Sequence, residues 1–79
     1  MKFFKKGLDV RSAVERVIAR EREALKEASE RFEKEKERSA LQRMRQLEIA
    51  IERFERILKH TTANETYELT EQDLVDFGM

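Results

Sequence analysis

Residues 33–39 read "EKEKERS", seven consecutive polar side chains without Gly, Pro or Asn, set between two amphipathic stretches. Whether the backbone stays helical through them or reverses there decides the shape of the molecule. On the N-terminal side the apolar positions Val14, Ile18, Leu25, Ala28 and Phe32 alternate by three and four, with Glu21 filling one step. On the C-terminal side Ala40, Met44, Leu47, Ile51, Phe54 and Leu58 follow the same alternation. Each is the seam of a helix that packs on another helix.

The two seams are out of phase. Continued forward, the first falls on Glu35, Ser39, Gln42 and Gln46; continued backward, the second falls on Glu37, Glu33 and Glu30. One resolution is a continuous coiled-coil helix, in which steps of four through Phe32, Lys36, Ala40 and Met44 absorb the mismatch as a local change of period. The other is a helical hairpin that folds back near 33–39, where Ser39 and Gln42 supply an S-x-x-Q capping box for a second arm. Composition leans toward the continuous form, because nothing in the stretch prefers a turn and Ser inside a helix costs only about 0.5 kcal/mol relative to Ala.

Around this centre the chain reads as one helical domain, residues 1–79, of class all-α. Residues 1–8 form a basic, aromatic tail, 9–60 the helical core and 61–79 an acidic tail. Good helix formers fill the core, and from Val10 to His60 there is no Gly, Pro or Asn. Asp9, or Ser12 with Glu15, offers an N-terminal cap, and Asn64 is the residue best suited to a left-handed stop. In the last segment, "ETYELTEQDLVDF" reads as a short extended piece and then a brief helix from about Glu71. Thr70 and Asp73 there form a capping box, with Leu69 and Leu74 as its hydrophobic staple.

Length and composition narrow the function. A chain of 79 residues buries only about 60% of its unfolded surface, and with no Cys it has no disulfide to compensate. Self-association, most simply a dimer, is the remaining source of buried area. The lack of Cys fits a reducing compartment, read here as cytoplasm. Apolar runs of only a few residues fall far short of the roughly 20 that cross a bilayer. Seventeen basic and seventeen acidic side chains cancel, unlike the basic excess of a general nucleic-acid binder. The tails nevertheless differ in sign: Lys2, Lys5 and Lys6 precede the core, whereas every charge after Thr61 is acidic.

Chemistry is sparse. His60 is the single histidine and has no nucleophile or paired carboxylate beside it in a catalytic pattern. Only Gly7 and Gly78 are present, too few for a phosphate-binding loop. Glu30, Glu33 and Glu37 share a helix face but stand next to Lys and Arg that neutralise them. No catalytic, cofactor or metal residue is therefore assigned. Val14, Ile18, Leu25, Phe32, Met44, Leu47, Ile51, Phe54 and Leu58 are the expected helix interface. Phe3, Phe4, Tyr67, Leu69, Leu74 and Phe77 are aromatic and aliphatic anchors that either dock on each other or enter a partner's groove.

These features point to a non-catalytic protein–protein interaction module. It would serve as an adaptor, inhibitor or other regulatory accessory factor; size alone suggests a phage or mobile-element source. A second reading is a small dimeric nucleic-acid binder that uses the stripe Arg31, Lys34, Arg38 and Arg45. A third is a structural coiled-coil subunit of a larger assembly.

Overall fold

The polar stretch reverses the chain. In the computed structural model, which describes residues 2–79, strand β1 (Phe3–Lys6) leads into helix α1 (Gly7–Glu35). Helix α2 (Arg38–Lys59) then returns alongside α1. Strand β2 (Thr66–Leu69) and helix α3 (Glu71–Asp76) complete the chain. The molecule measures 45 × 23 × 15 Å.

The turn is made by Lys36 and Glu37 alone. Lys36 adopts the left-handed conformation (φ 54°, ψ 32°), and its N–H donates to the Phe32 carbonyl at 2.8 Å, so α1 ends in a left-handed cap motif. A non-glycine residue costs roughly 1 kcal/mol there. The Lys36 ammonium lies 5.5 Å from the centre of the Phe32 ring, which offsets part of that cost. The larger compensation is burial of both seams against each other. Local propensity favoured the straight helix; tertiary packing overrides it. The S-x-x-Q box is not used, since α2 starts one residue before Ser39 with Glu37 as its cap residue and no side-chain cap bond.

The arms are unequal, 29 and 22 residues. The first begins at Gly7, ahead of both expected caps, because its leading donors are satisfied from far along the chain. The Gly7 N–H donates to the Glu65 carbonyl at 2.6 Å and the Leu8 N–H to the Ala63 carbonyl at 3.1 Å. At the other helix end His60, not Asn64, is the C-terminal cap residue; Lys36 is the one non-glycine residue with positive φ among the described residues. Arg11 donates from Nη1 to the Leu58 and Thr61 carbonyls at 2.7 and 2.8 Å, placing a cation where the α2 dipole is negative. The buried Thr61 donates its hydroxyl to the Ile57 carbonyl at 2.6 Å.

The segment read as an N-terminal tail is therefore structured; its first residue, Met1, lies outside the described residues. β1 pairs antiparallel with β2, Phe3 opposite Leu69 and Lys5 opposite Tyr67. The opposed charges of the two tails meet within one chain, Lys2 lying 3.4 Å from Glu68. The capping box at Thr70 forms as read: the Asp73 N–H donates to the Thr70 hydroxyl, and the Thr70 N–H to the Asp73 carboxylate. α3 closes with the paired bonds of a Schellman motif, Gly78 N–H to Val75 and Met79 N–H to Leu74.

Replacing Lys36 by Gly should raise the unfolding free energy by about 0.5 kcal/mol, relief of the left-handed strain exceeding the lost ring contact. Lys36→Val should lower it by about 1 kcal/mol or more, since a β-branched residue tolerates positive φ worst. Urea unfolding followed by circular dichroism distinguishes the two.

Candidate functional site

The end of the hairpin opposite the turn, where the two termini meet, is where the chain is most tightly built. Val10, Ala13, Val14, Val17 and Ile18 of α1 and Ile51 and Phe54 of α2 form a buried core with Leu69 and Phe77. Phe54 and Phe77 meet edge to face at 6.2 Å, a preferred aromatic geometry. Phe3, Tyr67 and Leu74 pack on this core and remain half-buried. Tyr67 also accepts the Thr62 N–H at its hydroxyl oxygen, 2.7 Å away.

Of the six anchors read as partner-binding candidates, five are thus engaged within the chain. The exception is Phe4, which is 64% exposed because alternation along β1 sends it to the face opposite Phe3. Leu8 is likewise exposed at 60%, and α3 presents Val75 at 72%. Sequence reasoning did not single out Val75 as solvent-facing, because the direction of a six-residue helix is set by what it docks on.

The helix-interface residues divide by position. Val14, Ile18, Leu47, Ile51 and Phe54 are buried; Leu25, Phe32, Met44 and Leu58 are only partly covered. Leu25, Phe32 and Met44 lie toward the turn, where the molecule is just two helices with no third element over them. Arg31, Lys34, Arg38 and Arg45 are all exposed in the same region. Arg31 shares a concave surface with Arg43, Glu27 and Glu37 over Ala24, Ala28 and Ala40, so acidic groups interrupt the basic stripe.

Among the described residues no three His, Asp or Glu side chains gather to hold a metal ion, and no helix is long and apolar enough to cross a membrane. What the surface offers is contact area. The chain matches no family model, and no curated protein or solved structure is significantly similar to it.

Phe77→Ala should cost about 3–5 kcal/mol, the range for emptying a buried aromatic site, and be visible as a large loss in thermal melting temperature. Phe4→Ala should change stability by no more than about 0.5 kcal/mol.

Proposed function

We propose that this protein is a non-catalytic interaction module, an adaptor, inhibitor or accessory factor of the cytoplasm, that works by presenting helical surface to another protein and to itself. The observation that carries this reading is the ratio of surface to mass. The chain exposes 6184 Å², whereas a folded monomer of 9.5 kDa scales to about 5,000 Å². The difference, about 1,100 Å², exceeds the roughly 800 Å² that each partner contributes to a standard interface. It is the surface expected of one component of an assembly.

The distribution of exposed apolar groups supports the same reading. Phe4, Leu8 and Val75 stand in solvent although the core beside them is well filled, and aromatic and aliphatic side chains of this kind anchor protein interfaces. The balanced charge, with glutamates among the arginines, favours protein over nucleic acid as the partner.

The test is affinity capture from the source cell with the intact chain and with a Phe4→Ser, Val75→Ser variant. The intact chain should retain a partner that the variant loses, while the two melt within a few degrees of each other. Absence of any specific capture by the intact chain, combined with a monomer in solution, would overturn the proposal.

A further inference from the structure

One long face of the hairpin carries no third element: its rows are buried between the arms at Ile18 and Ile51 but only partly covered at Leu25, Phe32, Met44 and Leu58. Ile18, Leu25 and Phe32 on α1 recur every seven residues, as do Met44, Ile51 and Leu58 on α2, so each row holds one line along its helix. Leu25 and Ile51 floor a shallow groove of about 290 Å³ that is rimmed by Arg22, Glu48, Glu52 and Glu55. α3 lies on the other side: Asp76 approaches Arg53 at 3.8 Å, and Arg53 projects from the flank of α2 opposite Glu55. With a thickness of 15 Å, little more than one helix diameter of 10–12 Å, the molecule leaves Leu25, Phe32, Met44 and Leu58 partly in water.

The rim of this face carries opposite charges on its two helices. Arg22, followed one turn later by Lys26, belongs to α1; Glu48, Glu52 and Glu55 belong to α2. Arg22 and Glu55 stand at the same level, 2.6 Å apart. A two-fold interface requires one patch to carry both complementary halves, and this patch does. If the two turns lie at the same end, α1 faces its partner's α2, and basic residues meet carboxylates at matching height. If the turns lie at opposite ends, α1 faces α1 and arginine approaches arginine.

Resting on the contact reading above, we infer that the occupant of this face is a second copy of the chain. α1 of one protomer packs antiparallel on α2 of its partner with both turns at one end, giving a four-helix bundle. The excess exposed area of about 1,100 Å² covers what one protomer gives to a standard dimer interface, about 800 Å². The uncharged total, seventeen basic against seventeen acidic groups, imposes no net repulsion on the pairing.

The chain lacks Cys, so single labels are unambiguous. A spin label at Arg38→Cys, an exposed site at the start of α2 beside the turn, should report an inter-protomer distance under about 30 Å, the reach of a bundle with helices 8–10 Å apart plus two label arms. The variants Arg22→Glu, Lys26→Glu and Glu48→Lys, Glu52→Lys should each raise the dimer dissociation constant about tenfold or more. Mixing the two should restore pairing to within about threefold of the unaltered chain. Unchanged helix content by circular dichroism confirms that both variants fold. A dimer whose labels lie beyond about 35 Å, the separation expected when the two turns sit at opposite ends of the shared face, or whose mixed variants fail to pair, overturns this arrangement and leaves the contact reading standing. A monomer at about 100 μM overturns the second copy as occupant, and partner capture then decides the broader reading.

Discussion

At Gly7 two stretches of backbone 55 residues apart come closer than any side chain would allow. A methyl group there would overlap the Thr62 carbonyl oxygen, lie 2.7 Å from its carbon and press on the Tyr67 ring at 3.1 Å. The end of the molecule opposite the turn depends on this approach. It allows carbonyls of the α2–β2 loop to accept the first donors of α1, brings Arg11 to the last carbonyls of α2, and sets β1 beside β2. The α1 N-terminus is thereby satisfied by the α2–β2 loop without a side-chain cap, and the α2 C-terminus by Arg11 together with the local Thr61 hydroxyl.

Much of this was legible in residue order, and what was not has a common cause. The seams at Val14–Phe32 and Ala40–Leu58 identified the interface because periodicity depends only on the helix itself. The Thr70–Asp73 box was readable for the same reason, its partners being three residues apart. The stop near His60 was also legible, its cap bonds being local, but the start at Gly7 and the strand Phe3–Lys6 depend on residues roughly 55 to 66 positions away, and no window of sequence contains both ends of such a contact. The reversal at Lys36 is the sharpest case. Every residue there favours right-handed helix, and only the energy of sealing two distant apolar rows outweighs that preference.

The same geometry accounts for how the apolar inventory is spent. Aromatic groups that read as partner anchors in a linear chain, Phe3, Tyr67 and Phe77 among them, are drawn onto the core once the ends meet. What remains outside includes one of those anchors, Phe4, with Leu8, Ile49 and Val75, and the partly covered Leu25, Phe32 and Met44 toward the turn. The contact reading gains its support from area and exposure, quantities that exist only after folding.

The joint at Lys36 has one more consequence. It is built of residues that would each accept a straight helix; Lys36 in the left-handed and Glu37 in the extended conformation make the bend, and packing of the two arms holds it. A chain that extends there loses its own return arm but finds identical surfaces on a neighbour that has done likewise, so every apolar contact of the hairpin can be remade between molecules with the left-handed residue relaxed. For a chain so extended, protein concentration would set which connectivity the same core adopts.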